Sequence, residues 1–355
     1  MDHDLHQVLL RSGAIIDGAS RLPLQFGEPE AELRAALREC ALVDRSDLGR
    51  IVASGPDLLD LLHRLSTGAV RGLAPGHGAT TVLTTAKGRI VERLFVHHLR
   101  VGEVLLVGGP RSAGRVMDHL RVYTFAERTG LEDRTETLYQ LAVLGPAAGA
   151  ALQAAGLEAP EPHGNLEVEF EGRTIHVLGQ EGWSSEGFSV LVPREAAGSI
   201  WQSLNLAVGS VGGRAAGSLA AEAWRVLRGL PAAGHELTDE YNPLEAGLRS
   251  AVSFDKGCYV GQEVVARLNT YDKVSRVLVG FVLPAEAQLP ARDLPLYFQD
   301  AEVGRLTSAV LPPGWPHPVA LGYLKRRVAE PGVEVTVGAP DSKLLARMSA
   351  LPFSV

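Results

Sequence analysis

The pattern of apolar and polar positions along the chain divides it into three stretches. In residues 28–40 apolar side chains recur at spacings of three and four with Pro29 near the start, which predicts a helix. Residues 50–53 read as a short strand, and Ser54-Gly55-Pro56-Asp57 opens an amphipathic helix carrying Leu58, Leu59, Leu61, Leu62 and Leu65. Strand-like runs follow at 80–84 and 89–97, joined by a turn at Ala86-Lys87-Gly88. A further strand at 104–107 is expected to end at Gly108-Gly109-Pro110, and 111–128 reads as a helix. The pattern then restarts, with a strand at 139–144, a helix at 146–156, strands near 166–178 and 188–192, and a helix at 195–206. A helix at 218–228 leads into a loop-rich stretch, 229–262. Beyond Lys273 the helical period disappears. Short Val-rich runs at 277–283, 296–298 and 333–337 alternate with Pro- and Gly-rich turns, the pattern of a small all-β barrel or sandwich. The chain therefore reads as two mixed α+β units and a β-rich tail.

Composition narrows the function classes. A chain of 355 residues exceeds one typical core, so two or three domains are expected. Hydrophobic residues make up 46% and charged residues 21%, as in ordinary globular proteins. A net charge of −7 and a pI near 5.9 argue against a general nucleic-acid binder, while leaving room for a local basic pocket. Met1-Asp2-His3-Asp4-Leu5 lacks the basic and apolar regions of a signal peptide, and no apolar run reaches the ~18 residues of a membrane span. Cys40 and Cys258 are the only cysteines, which gives neither a disulfide framework nor a CxxC pair and points to a reduced, cytoplasmic protein. A single motif cysteine cannot supply the thiolates of a resident iron–sulfur cluster. Gly109-Pro110-Arg111-Ser112-Ala113-Gly114-Arg115-Val116 lacks the Lys and Ser/Thr of a P-loop. GxSxG and HExxH are absent, and no spaced His/Cys cluster predicts a metal site. The neighbours His97 and His98 would point to opposite faces of a strand and read as surface or edge residues.

Candidate chemistry is concentrated in Lys256-Gly257-Cys258-Tyr259-Val260-Gly261-Gln262-Glu263. A core strand or ordinary helix has no use for a cation, a thiol, two glycines, an aromatic ring and an amide–carboxylate pair within eight residues. Lys256 and glycine-exposed backbone N–H groups would favour the thiolate of Cys258, which is the reactive form. Gly257 and Gly261 mark sharp bends or close approach. The plainer alternative is a free cysteine that fills space in a core.

This stretch resembles the signature of the YgfZ-type folate-binding proteins, relatives of the glycine-cleavage aminomethyltransferase, or T-protein. Asn242-Pro243-Leu244-Glu245-Ala246-Gly247-Leu248 is similar to the block that precedes it. Asp44-Arg45-Ser46, Gly49-Arg50-Ile51, Gly55-Pro56-Asp57, residues 61–67 and Pro75-Gly76 follow the superfamily's N-terminal spacing. Val303-Gly304-Arg305-Leu306-Thr307-Ser308 and Ala320-Leu321-Gly322-Tyr323 resemble the paired motifs of its C-terminal barrel. The likeness spans roughly residues 28–340, and only the cysteine block is specific to the subfamily.

The resemblance implies an α+β fold of three domains in a ring around a central folate channel, two of them mixed α+β and the third a C-terminal β-barrel. Residues 1–45 and 136–235 would form a discontinuous first domain and 46–135 the second; 236–270 would be a linking segment carrying the cysteine motif, and 271–355 the barrel. It implies tetrahydrofolate, or a one-carbon derivative, as ligand. Gly182-Trp183-Ser184-Ser185-Glu186-Gly187-Phe188 is similar to the T-protein's Gly-Tyr-Thr-Gly-Glu-Asp-Gly, one residue shorter. In that match Trp183 packs on the ligand, Glu186 accepts from the pterin, and Arg225 pairs with a folate carboxylate. The plainer roles are a core ring, a solvated charge and a helix-surface residue.

One departure is informative. Where the T-protein carries an Asp-Asp pair that includes its catalytic acid, this chain has Glu92-Arg93 within Gly88-Arg89-Ile90-Val91-Glu92-Arg93-Leu94. An arginine cannot act as that acid, and Glu92 is one methylene longer. The implied function is support of iron–sulfur cluster assembly or repair in client enzymes, radical-SAM tRNA-modifying enzymes among them. Cys258 would be the working thiol, Lys256 would tune it, and Gln262 and Glu263 would hold its loop by hydrogen bonds. No direct contact with nucleic acid or membrane is expected. A folate-dependent aminomethyltransferase and a non-catalytic scaffold of the same fold are the alternatives.

Overall fold

The computed structural model describes residues 4–179 and 187–354. The chain divides into two compact units, Met1–Thr81 with Arg93–Ala221 and Val82–Glu92 with Glu222–Val355.

The first unit contains a six-stranded sheet in the order Asn165–Phe170, Arg173–Gly179, Gly187–Pro193, Leu138–Leu144, Ala41–Asp44 and Arg214–Ala216. All neighbours are antiparallel except the last pair, in which Arg214 lies beside Ala41 in parallel register. Glu171 and Gly172, with φ of 51° and 72°, form the two-residue turn between the first two strands. The helix Ala197–Ser210 buries Ile200, Trp201, Leu204, Ala207 and Val208, one helical face. That face shares a core with the helices Leu5–Arg11 and Ala148–Ala154 and with Leu42, Val143, Val190 and Val192 of the sheet. Cys40 lies in this core, and burial pushes its thiol pKa up to about 12.

A second sheet runs in the order Gly78–Thr84, Ile90–Arg100, Glu103–Pro110, Leu48–Ser54 and Gly130–Asp133. Three expectations fail here, each for a local reason. The strand expected to stop before Gly108 continues to Pro110, which pairs with Leu48 beyond a register shift between Leu48 and Arg50. The helix expected over 111–128 is Ala113–Val122, because the Glu127 carboxylate accepts the N–H groups of Phe125 and Ala126 at 2.9 and 3.2 Å and turns the chain aside. His97 and His98 are buried rather than superficial, since their strand lies inside the sheet with neighbours on both sides. His98 Nδ1 sits 2.7 Å from the Leu73 carbonyl, and burial holds the His97 pKa down at about 3.

Asp44-Arg45-Ser46, one of the superfamily markers, is a half-buried corner with Asp44 inside. Arg50 is fully buried and donates to the carbonyls of Arg45, Ser46 and Thr135 at 3.3, 2.9 and 2.7 Å. Asp44 accepts the Ser46 N–H at 2.9 Å, and burial raises its pKa to about 6. Arg50 thus supplies donors to three carbonyls, of which Arg45's also accepts the Leu48 N–H at 3.2 Å.

In the second unit the β-rich tail is a closed six-stranded barrel: Arg276–Val282, Val319–Lys325, Ala301–Val310, Leu294–Phe298, Glu334–Val337 and Leu345–Ser349. Closure leaves no unpaired edge. Alternating inward residues, among them Val279, Phe281, Leu296, Leu306, Leu324 and Val335, fill its core. The stretch read as loop ends in a helix the pattern did not predict, Gln262–Thr270, in which only Val265 is buried.

Candidate functional site

The cysteine motif forms a loop running into that helix, and four features fix its shape. Gly261 takes the left-handed conformation, φ 84°, immediately before the helix. A Cβ there would stand 2.5 Å from the Thr85 carbonyl oxygen and 2.9 Å from the Gly88 Cα, so only glycine fits against this turn. The buried Thr84 hydroxyl donates to the Val260 carbonyl at 2.5 Å. Tyr259 is buried, which raises its phenol pKa to about 12, and the Lys256 ammonium lies over its ring at 4.9 Å. Gln262 closes the loop from within: its Oε1 accepts the Tyr259 N–H at 3.3 Å, and its Nε2 donates to the Lys256 carbonyl at 3.4 Å.

Cys258 and Gly257 are exposed on this held loop, which removes the alternative of a space-filling thiol. Gln262 makes the two hydrogen bonds that close the loop. Glu263 is exposed in the first turn of the helix and, among the described residues, makes no hydrogen bond to the loop. Its charge there favours the helix terminus instead.

The turn under the loop belongs to the Val82–Glu92 hairpin, which is strapped to the barrel by the Asn242-Pro243-Leu244-Glu245 block. Asn242 Oδ1 accepts the N–H groups of Leu244 and Glu245 at 3.0 Å each, an Asx turn. Glu245, nearly buried, accepts from Asn242 N and Ser275 Oγ at 3.2 Å each and faces Arg89 Nη1 at 3.6 Å. Arg89 also donates to the Glu240 carbonyl at 2.7 Å, and Leu278 N donates to the Glu245 carbonyl at 3.1 Å. The lead-in block thus supports the thiol's platform rather than supplying chemistry. At the other end of the hairpin Glu92 is 1% exposed. Arg93, the other half of the replaced pair, places its guanidinium 5.0 Å from the Phe95 ring centre.

Arg225 lies in the helix Ser218–Leu227 and is buried, not on the surface. Its Nε and Nη2 donate to the two oxygens of Glu222 at 2.6 and 2.5 Å, and Nη1 donates to Glu236 and to the Leu230 carbonyl at 3.2 Å each. Nη2 also donates to Ser308 Oγ at 2.8 Å. Glu236, which is fully buried, accepts in addition from Ala232 N, Thr307 Oγ1 and Ser308 Oγ at 2.9, 2.7 and 2.6 Å. All five N–H donors of the guanidinium are engaged, so a folate carboxylate at Arg225 would have to displace one of these partners. Trp183 and Glu186 lie outside the described residues. Sequence reading missed Glu236 and Thr84, since a lone Glu in a loop and a Thr in a strand carry no pattern.

Among the described residues no group of His, Cys, Asp and Glu side chains is arranged to hold a metal ion. No described helix is long and apolar enough to cross a membrane. What the site offers chemically is an exposed thiol on a loop held by the contacts above, with the Lys256 ammonium over the ring of the next residue, Tyr259.

Comparison with known proteins places this fold in one group. Residues 5–256 match the GCVT N-terminal domain, and residues 276–354 match the glycine cleavage T-protein C-terminal barrel domain. The chain belongs to this family. It is 32% identical to a putative chloroplastic transferase of Arabidopsis thaliana, over 99% of this chain and 80% of that one. It is 30% identical to an aminomethyltransferase of Symbiobacterium thermophilum, over 98% of this chain and 96% of that one. The crystal structure of the glycine cleavage system aminomethyltransferase T from Bartonella henselae superimposes with a TM-score of 0.84 at 23% identity, covering 99% of this chain and 97% of that one, and so shares the fold.

Proposed function

We propose that this chain is a YgfZ-type member of the family: a cytoplasmic, tetrahydrofolate-binding protein that supports assembly or repair of iron–sulfur clusters in client enzymes. The observation that carries the reading is the exposure of Cys258 on a loop fixed by Thr84, Tyr259, Gly261 and Gln262. A thiol held open to solvent serves an encounter with another molecule, whereas Cys40, in the core, serves packing. Lys256 is the motif's cation, over the Tyr259 ring, and the space around the Gly257 Cα is open. Trp183 and Glu186 are the proposed pterin contacts, and radical-SAM tRNA-modifying enzymes are the proposed clients.

The identity to aminomethyltransferases favours a second reading, a transfer of a one-carbon unit with Glu92 as the acid. Burial of Glu92 and the arginine beside it weigh against that role, which needs a carboxyl in reach of the reacting nitrogen. Calorimetric titration with tetrahydrofolate, followed by an aminomethyl-transfer assay, separates the readings. Binding without turnover is expected. Turnover that disappears in Glu92→Gln would establish the transferase, and the absence of any heat of binding would leave a scaffold that has lost its ligand.

A further inference from the structure

In the barrel unit, residues 283–293 connect the strands Arg276–Val282 and Leu294–Phe298. Backbone bonds fix the two ends of the connection: Leu283 N to the Pro318 carbonyl at 3.0 Å, and Asp293 N to the Leu306 carbonyl at 2.8 Å. Between them, among the described residues, a single hydrogen bond ties residues 284–292 to the rest of the unit. It joins Arg292 Nη1 to His235 Nε2 at 2.7 Å.

An arginine only donates, so Nε2 of His235 must accept. A neutral imidazole carries one ring proton, which therefore sits on Nδ1 and is donated to Ser308 Oγ at 3.0 Å. Ser308 passes its own proton to Glu236 at 2.6 Å, so the orientation is consistent along the chain of bonds. Arg225 Nη2 lies 3.3 Å from Nδ1, which puts a guanidinium on each side of the ring. The groups facing His235 are Arg225 and Glu222 from the helix Ser218–Leu227, Glu236 beside it in sequence, Ser308 from the strand Ala301–Val310, and Arg292. Both carboxylates are already bound to Arg225. Burial first, then the two arginines, hold the ring's pKa below the ordinary histidine value, while Glu236 and Glu222 pull the other way.

We propose that the His235–Arg292 pair is a pH-operated latch that holds the 283–293 connection against the barrel unit while the ring is neutral and releases it on protonation. A proton at Nε2 removes the acceptor that Arg292 uses and sets an imidazolium between two guanidinium groups. Arg292 is the exposed partner and is free to swing into water, whereas Arg225 stays fixed by Glu222 and Glu236.

Hydrogen exchange of the full-length protein, read by mass spectrometry over residues 283–293 from about pH 8 to about pH 5, tests this across the range in which histidine titrates. After correction for intrinsic exchange, protection of the connection is expected to fall by about tenfold on acidification, the equivalent of one hydrogen bond from a charged donor. His235→Gln keeps an acceptor for Arg292 and a donor for Ser308 but cannot titrate, so its protection should not change with pH. Arg292→Gln, a change at an exposed residue, should hold the bonded amides of Leu283, Ala287 and Asp293 at the lower, acid-state protection at both extremes and raise the His235 titration midpoint seen by NMR. Wild-type protection independent of pH, the same acid response in His235→Gln, or an unmoved midpoint in Arg292→Gln would each overturn the latch.

Discussion

Replacing Glu236 by alanine is expected to lower the unfolding free energy by about 3–5 kcal/mol, the usual cost of stripping a buried cation of its partner. The side chain is fully buried and accepts from Arg225, Ala232, Thr307 and Ser308. Its backbone carbonyl also accepts the Tyr323 hydroxyl at 2.9 Å, and the Tyr323 ring stacks on Tyr241. Alanine removes four hydrogen bonds at once and leaves Arg225 with Glu222, whose side chain is 42% exposed and correspondingly screened. Glu236→Gln keeps the acceptor oxygen and should cost less. Urea unfolding of Glu236→Ala, Arg225→Met and the double variant measures the coupling directly. The double variant should be more stable than the sum of the single losses predicts. A Glu236→Ala cost below about 1 kcal/mol would mean that the cluster is not a lock, since ordinary surface changes fall within that range.

The two motif glycines should behave in opposite ways. Gly261→Ala forces an L residue into the left-handed region, at ~1–2 kcal/mol, and drives its Cβ into the backbone of the Thr85–Gly88 turn. Because the opposing atoms are backbone, the loop must leave the hairpin, and the Thr84–Val260 bond goes with it. A loss of more than about 2 kcal/mol in thermal or urea unfolding is expected, with faster amide exchange through residues 256–262. Gly257 has no atom within 4 Å of its would-be Cβ and lies outside the left-handed region, so Gly257→Ala should leave stability within about 0.5 kcal/mol of wild type. Equal destabilisation by both would contradict the picture of a loop docked at Gly261 and open at Gly257.

The alternation of Val-rich runs beyond Lys273 was enough to expect a small β-rich tail, because each barrel strand carries its own inward and outward positions. Long amphipathic helices such as Ala197–Ser210 were equally readable. Elements with little periodicity escaped: Ala41–Asp44 is a short strand inside a sheet, Arg214–Ala216 a three-residue strand at its edge, and Gln262–Thr270 buries one residue. At the site, the oddity of Lys256 to Glu263 was visible because its residue types conflict with any regular element. Its support was not visible, since Thr84 reaches Val260 across 176 positions and Arg225 reaches Ser308 across 83. Glu263 carries two readings from sequence alone, since an acidic residue in a motif looks functional and a helix's first turn favours one electrostatically.

The activity of an iron–sulfur enzyme in cells lacking this protein, with wild type and Cys258→Ala returned at matched expression, decides whether the exposed thiol does what its presentation implies. Cys258 is exposed, so alanine should leave the fold intact, and rescue by wild type alone is predicted. Equal rescue by both proteins, or an enzyme unaffected by the deletion, would contradict a cluster-supporting role for Cys258.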